Sequence, residues 1–597
     1  MQGPSIVVGI DFGTTFSGIA WTIGNSIEDI EVHPHWPGGG NRTSVKVPST
    51  ISFSGVKIQW GYQVGQFTEA LRGIKLLLDE DQKIEYTPSL QSKALLAKYG
   101  KTAEEATALY LKQLIQQAKQ VLERRLGLDI DELDTQFILT VPAVWSDKAK
   151  DSTMRAAVAA GIDLKNLSLV SEPEAAALYA LRAIQPNSIA KDDVFTVCDA
   201  GGGTVVSKQD PGPVDAPRFN QRQDLISYQI KSLEPLVLAE VTEGTGAVCG
   251  SVLLDGRFDE HLKQKMGLEK YDALKHKSKE AAMTYWQERV KPNFTGHFDD
   301  EFGEMEYFIP VAGAEDDESI PIEDGFFMMS SEDVESIFEP IILQIEQLVA
   351  QQIAAVGKEP CKTLLLVGGF GASEYLYHRL RTANPGLAIL QPPNGWSAIV
   401  SGAVHRGLEG NKVESRIARR NYGVECHIKF VPSIHRPDDP TKRWDPLEQT
   451  YRVSGMDWYI EKVRRIPDMP EPPTPTSQEA HCISYQSSKV SENKPIRMGF
   501  YSSISVQRHK RNVFRIPLYF SHDDVAPRQM TPETMKLCEL EADLRVIPEE
   551  LFDRKKNSDG IEYFRIPFVL KMTPTSASLI FELEFNGVSY GSVRSKY

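Results

Sequence analysis

Two short turns of similar make-up, about 190 residues apart, constrain this chain more than any other feature. The first is Gly9-Ile-Asp-Phe-Gly-Thr-Thr-Phe16 and the second is Val197-Cys-Asp-Ala-Gly-Gly-Gly-Thr204. In each, an apolar strand delivers an aspartate into a tight turn of glycine and threonine. Glycine lets backbone N–H groups approach a phosphate, threonine hydroxyls add donors, and an aspartate can hold a hydrated magnesium ion. A single glycine-bearing turn after a strand is usually only a turn. Two of them in one α/β chain point to two homologous lobes that clasp one nucleotide from both sides. Two further glycine turns, Glu243-Gly-Thr-Gly246 and Leu366-Val-Gly-Gly-Phe-Gly371, are candidates for the same site. A P-loop is excluded, because no Gly-x-x-x-x-Gly-Lys-Ser/Thr segment occurs, and Gly244-Thr-Gly246 lacks the third glycine of a dinucleotide fingerprint.

The first 410 residues or so alternate apolar strands with helices. Ile6–Ile10, Phe137–Val141, Val194–Val197 and Thr363–Val367 read as strands that end at Gly-, Pro- or Asp-bearing turns. Thr102 with Glu105 fits a capping box ahead of a helix reaching Leu126, and Ser331 to Val356 carries a second long apolar face. Beyond about Asn411 proline, serine and charge increase. Leu579, Phe581, Leu583 and Phe585 then alternate with Ile580, Glu582 and Glu584, the period of a half-buried strand. This part is expected to be β-rich, with Pro467–Thr476 as a loop that no central strand would contain.

The chain has 597 residues with 66 Lys and Arg against 81 Asp and Glu, a net charge of −15. That balance argues against nucleic acid as a partner, since phosphate-backbone binding draws on Lys and Arg. No run of apolar residues is long enough to span a membrane, and no secretory leader is legible. The six cysteines are scattered without a Cys-x-x-Cys pair, which fits reduced thiols in a cytoplasmic or nuclear setting. His33-Pro-His35, Cys426-His427 and His481-Cys482 lack metal-ligand spacing and read as loop or core residues, and the basic cluster Gln507–Arg515 reads as a solvated turn.

IDFGTT (10–15), ILTVPAVWSDKAKDSTMRAAVAAGI (138–162), LVSEPEAAALYAL (169–181), DAGGGT (199–204) and LLLVGGFGAS (364–373) occur in that order. Together they resemble the signatures of the seventy-kilodalton heat-shock chaperones, within the actin, hexokinase and heat-shock ATPase superfamily. The chain is most similar to the divergent, chaperone-like members. The resemblance covers roughly residues 5–410. It implies an α/β fold of two ribonuclease-H-like, actin-like ATPase lobes around a nucleotide cleft, followed by a β-rich C-terminal domain. The implied boundaries are 1–190 and 191–410 for the lobes, 411–425 for a linker and 426–597 for the β-rich domain.

The same resemblance implies ATP and magnesium as cofactors and assigns roles by position. Gly13, Thr14 and Thr15 contact the β- and γ-phosphates, and Gly201, Gly202, Gly203 and Thr204 form the facing loop. Asp11 and Asp199 hold magnesium through its water shell, while Glu172 and Lys75 place the metal, the attacking water and the γ-phosphate. Gly368 and Gly369 pass under the adenosine, Glu288 and Lys291 face the base and ribose, and Gly244 and Thr245 join the binding set. The implied activity is slow ATP hydrolysis with nucleotide-driven lobe motion, and unfolded clients or other proteins are expected at the β-rich domain.

The chain departs from that pattern in three places. Residues 206–223 interrupt the strand that should follow Thr204-Val205, and removing them restores GGGTVDLISYQI. The segment reads either as a retained intron, since its codons can begin GT and end AG, or as a true insertion. The linker region reads Val413-Glu-Ser-Arg-Ile-Ala-Arg-Arg420 instead of an acid-flanked leucine run, and Trp396 stands where the family has an acid. These departures support an alternative in which the chain is a nucleotide-binding scaffold without useful turnover. A small-molecule kinase of the superfamily is a third reading, but no segment resembles its sugar or acetate pocket.

Overall fold

A computed structural model describes residues 5–597 apart from 25, 66–67, 80–86, 185–188, 203–223, 247–248, 297–305, 317–319, 358–359, 434, 463–488, 493, 507–512 and 524. The interruption at 206–223, the proline-rich Pro467–Thr476, His481-Cys482 and most of Gln507–Arg515 therefore lie outside the described residues. The chain divides into two compact units. One is Met1–Leu238 with Gly244–Lys412, and the other is Ala239–Glu243 with Val413–Tyr597.

The first unit is mixed α/β and runs through one order of elements twice. Strand Ile6–Asp11 pairs antiparallel with Phe16–Ile23 and parallel with Thr135–Val141, which pairs parallel with Leu167–Ser171. In the second pass Val194–Asp199 pairs antiparallel with Asp224–Leu233 and parallel with Cys361–Val367, which pairs parallel with Ala388–Leu390. The helices repeat as well. Ala103–Leu126 precedes the first inner parallel strand and Ser331–Ala355 the second, at 24 and 25 residues. The strand after the interruption starts at Asp224, the first residue beyond 223, with Asp199 opposite it.

Local chemistry sets these elements. Thr102 Oγ1 accepts from the Glu105 N–H at 3.1 Å, and the Thr102 N–H donates to Glu105 Oε2 at 2.8 Å, so the expected capping box forms. The helix stops at Gly127, whose φ of +68° favours glycine. Strands Ile6–Asp11 and Val194–Asp199 are buried along their whole length, as inner strands covered on both faces must be. Each ends on its aspartate, so the sheet's last apolar residue is followed at once by the turn.

Helices Glu172–Ala183 and Ala398–Glu409 cross closely, and the crossing depends on a small residue. A Cβ built on Gly402 would stand 1.7 Å from the Ala175 carbonyl oxygen. Elsewhere Phe258 stacks on Trp286 at 4.7 Å and 4°, and Phe338 bridges Trp286 and Tyr375 in the same core.

The second unit is built of antiparallel strands. One sheet runs Arg443–Asp445, Thr450–Ile460, Asn421–Lys429, Val513–Ser521, Met535–Asp543, Arg594–Lys596. Another runs Ile496–Ser505, Glu562–Pro574, Leu579–Phe585, Val588–Ser592. Phe581, Leu583 and Phe585 are buried as the alternation predicts. Glu584 is buried too, and it is held by Lys571 Nζ at 3.1 Å and by Arg497. Within the stretch 411–425 lie strand Val413–Ile417 and the start of Asn421–Lys429.

Among the described residues no helix is long and apolar enough to cross a membrane. His33 is buried edge-on to Trp36 at 4.6 Å, which makes it a core residue.

Candidate functional site

One cavity of about 730 Å³ in the first unit gathers both aspartate turns. Its size lies within the ~300–1,000 Å³ common for small-molecule sites. Asp11, Gly13, Thr14, Thr15, Lys75, Glu172, Asp199, Gly201, Gly202, Glu288, Lys291, Gly368 and Gly369 all line it. Gly203 and Thr204 lie outside the described residues. Gly244 and Thr245 do not line it. Thr245 pairs with Leu225 through the backbone and donates its hydroxyl to Gln352 Oε1 at 2.6 Å, so this turn secures a strand end.

At Gly13, Gly202 and Gly368 the backbone comes too close to its neighbours for any side chain. A Cβ on Gly202 would stand 2.3 Å from Thr15 Oγ1, so the second turn lies directly on the first. A Cβ on Gly368 would stand 2.4 Å from Asp199 Oδ1, and the φ of +88° there favours glycine as well. Gly369 backs onto Trp396, whose ring meets Phe16 edge-on at 5.7 Å. The result is a floor of bare backbone bordered by hydroxyls, carboxylates and ammonium groups, which fits a polyphosphate.

Two buried ion pairs face this floor. Lys75 follows Gly73, a left-handed residue with φ +63° that opens the short 3₁₀ turn Ile74–Leu78. Its Nζ lies 2.5 Å from Glu172 Oε1, with the two side chains 5% and 10% exposed. Glu172 opens a helix with Pro173 behind it, where the helix dipole favours an anion. Lys46 Nζ lies 2.7 Å from Asp11 Oδ2, and Thr140 Oγ1 donates to Asp11 Oδ1 at 3.3 Å. No sequence pattern marks Lys46; its partner is 35 residues away and only the fold joins them.

At the other end, Lys291 Nζ pairs with Asp255 Oδ1 at 2.7 Å, and Asp255 also accepts from Trp286 Nε1 and Gln287 Nε2. Asp255 is a second lining residue that sequence reasoning missed. Glu288 lies 3.5 Å from Arg42, an exposed pair worth little by itself. Cys198, next to Asp199, has its thiol pushed up to about 12 by burial and by the neighbouring carboxylate. It stays protonated, so no thiolate acts here.

Among the described residues no three His, Cys, Asp or Glu side chains are placed to cage a metal ion. Separate hard carboxylates on a phosphate floor suit a cation held through its water shell, the form expected of magnesium.

Residues 74–207 match the family model described as Hsp70 protein. The chain is 25% identical over 516 residues to Heat shock 70 kDa protein 12A of Mus musculus, across 72% of this chain and 74% of that protein. It is 26% identical over 554 residues to Heat shock 70 kDa protein 12B of Homo sapiens, across 77% and 78%. It is also 32% identical over 219 residues to the Chaperone protein HscA homolog of Rickettsia bellii, across 34% and 32%. The family match falls on the segment that carries Lys75, Glu172 and Asp199, and the longer alignments run through most of the chain. These similarities support a divergent, nucleotide-binding Hsp70-like protein of the actin-like ATPase superfamily.

Proposed function

We propose that the cavity binds ATP and ADP with magnesium and that the chain hydrolyses ATP slowly, as a chaperone-like protein. The contact of Gly202 with Thr15 carries this reading, because it sets two phosphate-type turns face to face across one floor. In this reading the repeated element order is two ribonuclease-H-like lobes, with the boundary near residue 190, and nucleotide state biases the angle between them. The β-rich unit beyond a linker at 411–425 takes unfolded clients or other proteins, in the cytoplasm or nucleus.

Gly13, Thr14 and Thr15 from one turn and Gly201, Gly202, Gly203 and Thr204 from the other bind the β- and γ-phosphates. Magnesium, when bound, supplies charge neutralisation at those phosphates, with Asp11 and Asp199 reaching its water shell. Glu172 orients the attacking water, and Lys75 holds Glu172 in place and faces the charge that develops on the transferring phosphoryl group. Lys291, fixed by Asp255, and Glu288 border the nucleoside, with Gly368 and Gly369 beneath it. Catalysis of this kind is positioning and electrostatics, without a covalent intermediate.

The scaffold reading, binding without useful turnover, is favoured by one observation: Lys46 already occupies Asp11. Single-turnover hydrolysis of labelled ATP by the full chain separates the two. Slow but measurable turnover is expected, reduced about 10²-fold in Thr204→Val, as when one transition-state donor is lost. Removal of 206–223 is expected to speed turnover. Micromolar ATP binding with no product in any of the three proteins would establish the scaffold.

A further inference from the structure

Lys46 is not explained by the roles above. Its side chain and that of Asp11 are 8% and 3% exposed, yet both residues face the cavity. The lysine is fixed in place by its own segment. Its carbonyl accepts from Ser44 Oγ at 2.7 Å and from the Tyr62 hydroxyl at 3.2 Å. Val47 and Pro48 pair with Ser17 and Phe16, and Ser49 Oγ donates to the Gly13 carbonyl at 2.7 Å. The backbone that carries the lysine is thus tied to the hairpin whose turn is the first glycine loop, and its ammonium meets Asp11 of that hairpin.

Stability does not account for such a pair. Burying both charges costs about what their attraction returns, and two apolar side chains of equal volume would serve the fold as well. An ammonium has three N–H donors, and the Asp11 oxygen takes one. Lys75 stands in the same relation to Glu172 on the same cavity. Two of the three carboxylates assigned to the metal and water are therefore already matched by fixed cations.

We propose that Lys46 is a phosphate-binding cation of this cleft, which with Lys75 forms a two-ammonium clamp on the polyphosphate and makes nucleotide binding only weakly dependent on divalent metal. This rests on the nucleotide-binding reading above. Asp11 is then neutralised from within the chain, so a phosphate entering the floor meets no bare carboxylate there. The ammonium adds charge-assisted donors of its own.

Calorimetric titration of ADP into the full chain tests this, with magnesium or with EDTA. Three proteins are compared: wild type, Lys46→Met and Lys46→Met/Asp11→Asn. The double variant leaves no unpaired buried carboxylate, so it keeps the test alive if the single variant fails to fold. Wild type is expected to keep its affinity in EDTA within about fivefold, while each variant that folds loses about tenfold or more in EDTA, a change well within calorimetric reach. Loss of wild-type binding in EDTA overturns the proposal. So does unchanged binding in EDTA by the double variant, which would mark Lys46 as a structural partner of Asp11 alone. Wild type that ignores ADP even with magnesium overturns the nucleotide reading itself, a distinct result.

Discussion

Gly402→Val is expected to leave the first unit unfolded at ambient temperature. The new Cβ would lie 1.7 Å from the Ala175 carbonyl oxygen, 2.4 Å from its carbon and 3.0 Å from its Cα. All three are backbone atoms of a helix, so no flexible side-chain end can move aside. The helices Glu172–Ala183 and Ala398–Glu409 would have to separate. The second of them also lies against strand Ile6–Asp11, where a Cβ on Gly9 would stand 2.7 Å from the Val400 carbonyl. Ordinary overpacking costs ~1–3 kcal/mol. A clash with fixed backbone at a helix crossing falls in the exceptional class, at about 5 kcal/mol or more, comparable to the whole stability of a domain. Circular dichroism and thermal melting of purified protein check this. A melting temperature within a few degrees of wild type would contradict the packing described here.

Lys75→Met is expected to lower the single-turnover rate by ~10²–10³, the loss seen when one preorganised group is removed from a developing charge. The ammonium at 2.5 Å is what holds the Glu172 carboxylate in register, and the Lys75–Trp145 contact at 5.6 Å fixes the lysine in turn. Because the remaining carboxylate is buried, a stability loss of ~3–5 kcal/mol accompanies the change. Glu172→Gln should cost a similar factor in rate. Since the two residues act as one unit, the double variant should be little worse than either single one. Losses that multiply in the double variant would show that the residues act separately. Rates are compared at saturating ATP, because Lys75 is also half of the proposed phosphate clamp.

The sequence made the framework legible because its signals are local. The capping box at Thr102 and Glu105 and the apolar strands that end on Asp11 and Asp199 act within a few residues of one another, and each took its expected form. Composition alone was less reliable. Gly244-Thr245 has the same residues as a phosphate turn, yet Thr245 faces Gln352, because what a turn can bind depends on what stands opposite it. Lys46 and Asp255 escaped for the same reason. Each forms its ion pair with a partner 35 or 36 residues away, and no periodicity or motif connects the two ends. The Lys291 assignment kept its place on the cavity, but the sequence could not show that Asp255 engages its charge. Gly402 looks like any helical glycine until the helix that crosses it is known.

The central claim is that the two aspartate turns close on one ligand. Titration of ADP with magnesium into wild type and Gly202→Val tests it most directly, because a Cβ at 202 would stand 2.3 Å from Thr15 Oγ1, where the two turns meet. One site of micromolar affinity is expected in wild type, weakened by about tenfold or more in a variant that remains folded. No heat in wild type, or equal affinity in both proteins, would contradict the claim.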